Sequence, residues 1–183
     1  MLNGLVLAGG QSRRMGQDKA LMRYQGKPLF EHAAALLNEA GCKQVLISRN
    51  QPGYLTDIIA DAGPLAGVHA ALDVLSVGDE LVVLPVDMPQ MTPALLRSLW
   101  QFGRDQQKAC FVATRILPFY LPVTHQVKSE LHTFLTAQKE RKVVRFLNAI
   151  HAATFSGYVN EPGNSGDAAW LNVNSPEDWP DET

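Results

Sequence analysis

The sequence predicts one doubly wound α/β domain with a mainly parallel sheet over residues 1–183. Short apolar runs typical of strands alternate with helical patterns, which is the signature of βαβ units. Residues 81–84 are apolar throughout, as expected of a strand covered on both faces. Of the 183 residues, 46% are hydrophobic and 19% charged, which is enough apolar material for one sizeable core.

The first half of the chain shows the alternation most clearly. Strands are predicted at residues 5–7, 45–47 and 81–84. The first helix is predicted to have Pro28 in its first turn and to end at Gly41 as its C-cap. Its inward positions follow helical spacing: Leu29, Ala33, Leu36 and Leu37.

Two further helices are predicted before residue 107. One follows Gly63-Pro64, and its apolar residues recur at helical spacing: Leu65, Val68, Leu72 and Leu75. The other begins at Thr92-Pro93, which we interpret as N-cap and first helical residue. Its inward face comprises Leu95, Leu96 and Leu99.

Beyond about residue 106 the pattern weakens. Strands are predicted at 110–112 and 120–123, and Pro122 favours an edge position for the second of these. Two helices follow, with these inward residues: Leu131, Phe134 and Leu135 in one, and Val143, Phe146, Leu147 and Ile150 in the other. Residues 156–168 are typical of a surface loop, and 170–173 of a last strand.

Charge, cysteine usage and the chain start argue against several classes of protein. The net charge of −2 is unfavourable for non-specific nucleic-acid binding. The apolar run at residues 1–8 lacks a basic region and breaks at Gly9, so it is too short for a signal peptide or a membrane span. Cys42 and Cys110 lie far apart and are interpreted as buried hydrophobes in a reducing compartment. We therefore expect a cytoplasmic protein with no nucleic-acid or membrane partner.

The most informative segment is LAGGQSRRMGQDK at residues 7–19. Gly9 and Gly10 lack side chains, so backbone N–H groups can approach a ligand closely. Three cations follow them: Arg13, Arg14 and Lys19. At the carboxyl end of a strand, this combination favours phosphate binding. The segment contains neither the P-loop triplet Gly-Lys-Ser/Thr nor the dinucleotide pattern Gly-x-Gly-x-x-Gly.

Two other segments add candidate site residues. Asp87 directly follows the apolar strand, where one carboxylate and substrate phosphates can hold Mg²⁺; capping of the next turn is the structural alternative. The segment Gly63-Pro64-Leu65-Ala66-Gly67 starts a helix with small residues, which can accommodate a ribose or a flat ring, although tight packing explains Gly67 about as well. Two acids precede it: Asp57 and Asp61.

Together these segments resemble the molybdenum cofactor guanylyltransferase family, the MobA-type nucleotidyltransferases. The matching segments are residues 7–19, 63–67 and 87–89, and residues 140–143 and 172–177 are similar to later family motifs. The resemblance implies a single three-layer, Rossmann-like nucleotidyltransferase domain with a mainly parallel sheet. It also implies transfer of GMP from GTP to the molybdopterin cofactor, with Mg²⁺ required and pyrophosphate released.

The resemblance, together with the charges of these segments, indicates roles for individual residues. Those expected to bind nucleotide are Leu7, Ala8, Gly9, Gly10, Lys19, Ser48, Asp57, Gly63 and Asp87. Those expected to act in catalysis are Arg13, Arg14 and Lys19, whose positive charges would offset those of the phosphates, and Asp87, which would hold the Mg²⁺. Those expected on the acceptor side are Arg141, Asn172 and Asn174. The basic cluster around Arg141 has a solvated helix face as its alternative.

Several alternatives stay open. Ala8-Gly9-Gly10 favours guanine, because related cytidylyltransferases have Leu-Ala-Ala-Gly there, yet CTP or a sugar phosphate acceptor remains an alternative. Family spacing favours Asp57 over Asp61 as the nucleotide contact. Residues 109–124 are shorter and more apolar than their family counterpart, so a non-catalytic nucleotide-binding protein is another alternative. Transient contacts with cofactor-synthesis proteins or molybdoenzyme chaperones are a family expectation.

Overall fold

The protein is described by a computed structural model over residues 1–9, 18–113 and 115–156. Within these ranges the strands are β1 (Leu2–Leu7), β2 (Arg23–Tyr24), β3 (Lys27–Pro28), β4 (Gln44–Ser48), β5 (Glu80–Pro85), β6 (Cys110–Phe111), β7 (Phe119–Pro122) and β8 (Ala153–Thr154). The helices are α1 (Leu29–Glu39), α2 (Pro64–Val74), α3 (Pro93–Gln106), α4 (His125–Thr136) and α5 (Val143–Ala149), with a short 3₁₀ helix at Lys19–Leu21. The last predicted strand, residues 170–173, and nearly all of the predicted surface loop lie outside the described residues.

Six strands form one sheet in the order β4-β1-β5-β7-β6-β8. The central strand β1 pairs in parallel with β4 and β5, so that Leu5 lies opposite both Leu46 and Val83. Strand β7 runs antiparallel to β5 and β6, and all the other strands of this sheet run in one direction. The predicted mainly parallel sheet is confirmed. Strands β2 and β3 form a separate antiparallel ribbon.

Helices cover both faces of the sheet, because side chains alternate between its two sides along each strand. In β5, Val82 and Leu84 pack in the apolar cluster formed with α1 and α3. Their neighbours Leu81 and Val83 pack in the opposite cluster, with α2, α4 and α5. All four side chains are fully buried, which explains why this strand is apolar throughout. The predicted three-layer architecture is confirmed.

Local signals set most of the helix ends. The Thr92 hydroxyl accepts a hydrogen bond from the Leu95 N–H at 3.3 Å, and Pro93 is the first residue of α3, as predicted. Gly41 follows the end of α1 with φ +108°, a conformation that favours glycine. The placement of Pro28 inside the first turn was wrong by one residue. Its ψ of 145° is extended, so α1 begins at Leu29.

The predicted edge position of the strand containing Pro122 is also wrong. Strand β7 lies inside the sheet, between β5 and β6. It tolerates proline because Pro122 is its last residue, at a register position that the short strand β6 does not reach. Position in a sheet depends on partners far away in the chain, so the residue type alone is a weak guide to it.

Both cysteines are buried, as the sequence predicts. Cys42 and Cys110 are buried and unbridged, and burial raises the pKa of each thiol to about 12. Both therefore act as small apolar side chains, as predicted. Among the helices of the described ranges, none has the length and apolar character that a membrane crossing requires.

Candidate active site

A cavity of about 510 Å³ opens at the carboxyl ends of the parallel strands. The end of β1 contributes Leu7 and Gly9 to its lining, the end of β4 contributes Ser48, and the end of β5 contributes Pro85 and Asp87. Ligands of open α/β sheets bind at this edge. The sheet therefore brings together residues that are up to about eighty positions apart in the chain.

The floor of the cavity depends on close packing between α2 and β4. A Cβ atom added to Gly67 would lie 2.5 Å from Ser48 Oγ and 3.0 Å from Leu7 Cδ2, so a side chain does not fit there. Gly63, which precedes α2, has φ +61° and lines the cavity together with Gly67. Ala8 lies behind this surface, buried, and its N–H donates to the Ser48 carbonyl at 2.9 Å.

Opposite charges meet on the cavity wall. Lys19 Nζ lies 3.6 Å from Asp87 Oδ2, and the two side chains are 14% and 19% exposed. Lys19 is the first residue of the 3₁₀ helix, which begins where the Asp18 carboxylate accepts a hydrogen bond from the Ala20 N–H. The cation and the carboxylate that were predicted from separate segments are thus neighbours.

Asp57 and Asp61 both line the cavity, so each can contact a ligand bound there. Asp57 is held by Asn50: its N–H donates to Asn50 Oδ1 at 2.9 Å, and Asn50 Nδ2 donates to Asp57 Oδ2 at 3.1 Å. Asn50 also lines the cavity and was missed in the sequence. Its position two residues after the end of β4 was the available signal.

The far wall contains Arg115 and Leu117, which sequence reasoning also missed. They belong to the connection between β6 and β7, inside the segment 109–124 that departs from the family pattern. Arg115 is the one charged residue of that segment in the sequence. A charge isolated in an apolar stretch was the signal that could have identified it.

Arg141 is not part of the cavity lining. Its guanidinium donates to the main-chain carbonyls of Asp61, at 3.0 Å, and of Leu135, at 3.2 Å. It thereby ties the loop before α2 to the end of α4. Nearby, main-chain N–H groups and the Arg145 guanidinium lower the pKa of the partly exposed Glu140. An acceptor role for Arg141 stays a prediction.

Five predicted site residues lie outside the described ranges: Gly10, Arg13, Arg14, Asn172 and Asn174. Among the residues that are described, no group of three or more His, Cys, Asp or Glu side chains is arranged to hold a metal. Asp87 offers a single carboxylate on the cavity wall. This fits Mg²⁺, which usually takes one or two protein carboxylates and completes its shell with water and substrate phosphates.

Comparison with known proteins decides the family. The model described as "MobA-like NTP transferase domain" matches residues 4–153. The chain belongs to this family. This MobA-like protein is 35% identical to a molybdenum cofactor guanylyltransferase of Xanthomonas euvesicatoria over 96% of its own length and 91% of the relative's. It is 33% identical to one of Yersinia pseudotuberculosis, with 97% and 92% covered.

Solved structures show the same fold. Molybdopterin-guanine dinucleotide biosynthesis protein A of Archaeoglobus fulgidus has a TM-score of 0.78 with the MobA-like chain, at 22% identity over 96% of this chain and 94% of that one. The 2-C-methyl-D-erythritol 4-phosphate cytidylyltransferase of Thermus thermophilus has a TM-score of 0.68 at 14% identity, covering 95% of this chain and 93% of that one. The predicted resemblance is confirmed: the MobA-like protein is a nucleotidyltransferase.

Proposed function

We propose that the protein transfers GMP from GTP to the molybdopterin cofactor and releases pyrophosphate in a Mg²⁺-dependent reaction. The observation that carries the proposal is the Lys19–Asp87 pair on the wall of a cavity at the carboxyl edge of the sheet. Relatives named molybdenum cofactor guanylyltransferase, 33–35% identical over most of the chain, support this choice of substrates. The cytoplasm is the proposed location.

The nucleotide is proposed to bind over the ends of β1 and β4. Gly9 presents backbone without a side chain, and Gly63 and Gly67 leave room beside the start of α2. Polar groups of Ser48 and either Asp57 or Asp61 are available for the sugar and the base. The shape of this surface is set by packing rather than by long side chains, which favours binding without large rearrangement.

Lys19 supplies positive charge for the phosphates. At about 4 Å and an effective dielectric near 20, one such charge pair is worth on the order of 4 kcal/mol before desolvation. Asp87 would hold Mg²⁺ together with substrate phosphate oxygens, and the bound ion would neutralise further charge. Arg13 and Arg14, which lie outside the described residues, remain proposed phosphate contacts.

The reaction is proposed as an in-line displacement at the α-phosphorus of GTP. A terminal phosphate oxygen of molybdopterin forms the new P–O bond, and the bond to pyrophosphate breaks. A phosphomonoester is largely ionised at neutral pH, since its second pKa is about 6, so the protein need not remove a proton from it. The residues of the chain then contribute by positioning and charge compensation.

Calorimetric titration with GTP, CTP, ATP and UTP in the presence of Mg²⁺ tests the nucleotide choice. We expect GTP to bind at least about tenfold more tightly than the others, the gain from one or two well-placed hydrogen bonds. Equal or tighter CTP binding would instead indicate a cytidylyltransferase.

A second measurement tests catalysis. Pyrophosphate release should require GTP, Mg²⁺ and molybdopterin cofactor together, and Arg97→Gln, on the exposed side of α3, should behave as the parent does. Tight GTP binding without release would identify a non-catalytic nucleotide-binding protein.

A further inference from the structure

The reversed strand β7 places one turn at the edge of the cavity. Phe119, its first residue, pairs with Val83 near the end of β5 and with Phe111 at the end of β6. The connection between β6 and β7 therefore lies at the same edge as the carboxyl ends of the parallel strands. Arg115 lies in this connection, exposed, and lines the cavity.

Main-chain hydrogen bonds fix the backbone around Arg115. Its own N–H and that of Ile116 donate to the Val112 carbonyl at 3.0 and 2.8 Å, and the Leu117 N–H donates to the Arg115 carbonyl at 2.8 Å. The main-chain N–H groups of Arg115 and of the two residues after it are thus all hydrogen-bonded. An arginine on a fixed backbone loses less freedom when it binds an anion than one on an open loop.

Two cations of the cavity wall, Lys19 and Arg115, differ in their ion pairs. Lys19 lies beside Asp87, whereas no ion pair found among residues 1–9, 18–113 and 115–156 involves Arg115. The strand order puts β5 between the two halves: Gly9 and Ser48 end β1 and β4 on one side, and Arg115 lies on the other. A guanidinium binds two phosphate oxygens at once.

We propose that Arg115 binds the phosphate of the acceptor, a phosphomonoester, and holds it across Asp87 from the nucleotide. The assignment of this phosphate to the acceptor rests on the proposed function. Segment 109–124 is short and apolar, and in this proposal its one charged residue binds the second substrate.

The test is Arg115→Gln, with Arg97→Gln as the matched control on α3. We expect the KM for molybdopterin cofactor to rise at least about tenfold, the loss of a charged hydrogen bond, while the calorimetric affinity for GTP changes less than about twofold. Arg115→Lys should give an intermediate KM. An unchanged acceptor KM, or an equal loss of GTP affinity, overturns the proposal.

Inorganic phosphate separates this proposal from the proposed function. With a non-reactive GTP analogue bound, ³¹P line broadening should report phosphate binding to the parent protein and to Arg97→Gln but not to Arg115→Gln. Loss of that signal supports the phosphate site even if molybdopterin proves not to be the acceptor. Equal phosphate binding by all three proteins rejects the site.

Arg49 is a buried charge behind the other half of the cavity. Only 7% of the residue is exposed, and its guanidinium donates to both carboxylate oxygens of Asp18. It also lies over the rings of Phe30 and Tyr54, at 5.8 and 5.9 Å from their centroids. A buried arginine held by an acid and two rings has little freedom to move.

Asp18, the partner of Arg49, caps the start of the 3₁₀ helix. Asp18 Oδ1 accepts the Ala20 N–H at 3.0 Å, and Lys19, between them, reaches to within 3.6 Å of Asp87. We infer that Arg49 is a positioning residue, which acts on the phosphates of the substrate through Asp18 and Lys19. The inference takes Lys19 as a phosphate contact from the proposed function.

A double-mutant cycle tests this coupling. Arg49→Gln and Lys19→Gln should each lower GTP affinity about tenfold, and the double variant should lose little more than either alone, because one contact is removed by both routes. Arg49→Lys should recover part of the affinity. Additive losses overturn the inference, since they would show that Arg49 acts without Lys19.

Should Arg49→Gln prove too unstable, Asp18→Asn provides the same cycle from the other side of the ion pair. Urea unfolding identifies that case, and the interpretation of additive and non-additive losses is the same. A cycle with GTP affinity as its readout stays informative whether or not molybdopterin is the acceptor.

Discussion

Strand β5 has a carboxylate at its start and another just beyond its end, and the two carboxylates have different surroundings. At its start, Glu80 accepts hydrogen bonds from Arg104 Nε at 2.9 Å and Nη2 at 2.7 Å, and from the Tyr120 hydroxyl at 2.5 Å. Just beyond its other end, Asp87 lies 3.6 Å from Lys19 Nζ, farther than a hydrogen bond. The Glu80 carboxylate is thus held by three hydrogen bonds, and the Asp87 carboxylate lies beside an ammonium group on the cavity wall.

At the start of β5, the hydrogen bonds of Glu80 serve to stabilise the fold. Burial alone would raise the pKa of Glu80, but the hydrogen bonds from Arg104 and Tyr120 outweigh burial and hold its pKa below the ordinary value. Burial, with the Glu80 carboxylate beside it, raises the pKa of the Tyr120 hydroxyl. These groups join β5, α3 and β7 at the edge away from the cavity. The hydrogen bonds at the Glu80 end therefore stabilise the fold, and at the other end we propose that Asp87 holds the metal.

Asp87→Asn should have the largest effect on this contrast. We expect the turnover number to fall at least about 100-fold, because the proposed carboxylate ligand of Mg²⁺ loses its charge. Stability against urea should change by less than about 1 kcal/mol, because the amide keeps the size of the carboxylate and the contact with Lys19, at 3.6 Å, is longer than a hydrogen bond. Initial rates of pyrophosphate release at several Mg²⁺ concentrations measure the effect, and Asp105→Asn on α3 is the control. Full Mg²⁺-dependent activity in Asp87→Asn would remove this residue from the mechanism.

Glu80→Gln should show the opposite pattern. It weakens three hydrogen bonds at a partly buried position, so we expect a loss of about 1–3 kcal/mol in the free energy of unfolding. Turnover should stay within about twofold of the parent, because the change lies at the far end of the strand. Urea unfolding and initial rates, with Glu31→Gln as the control, measure both. A variant with parent-like stability and impaired turnover would reverse the roles of the two ends.

The smallest of the expected effects is the pH dependence of the contribution that Glu80 makes to stability. Because its folded pKa lies below the ordinary 4.5, its stabilising effect is present above that value and is lost as the pH falls through the folded pKa. The stability difference between the parent and Glu80→Gln should therefore shrink steadily below about pH 4.5. A difference that persists unchanged in acid would show that lost packing, not charge, destabilises the variant.

Local chemistry made much of the fold and half of the cavity predictable. Thr92-Pro93 and Gly41 mark helix ends through bonds and torsions within a few residues, and the run of apolar residues in β5 shows burial on both faces. Leu7, Lys19 and Asp87 were predicted because each lies at or after a strand end, and strand ends meet at one edge of a parallel sheet.

What escaped prediction depends on partners distant in the chain. The reversal of β7 brings Arg115 to the cavity, and no residue near Arg115 signals that reversal. In the sequence, Arg49 looks like a surface residue after a strand. In the structure, it is buried among Asp18, Phe30 and Tyr54. Pro122 was misjudged for the same reason, since the strand beside it is set by topology.

The turn that follows β6, where we place the acceptor phosphate, is attached to the sheet differently from the rest of the cavity. It joins the short antiparallel strands β6 and β7, whereas the opposite half of the cavity is formed at the ends of the longer parallel strands at the centre of the sheet. Changes in such surface connections are usually tolerated, and the hydrogen bonds found in this turn join residues of the turn itself. Homologous enzymes could therefore exchange one phosphorylated recipient for another by rebuilding a handful of positions there, without disturbing the donor half.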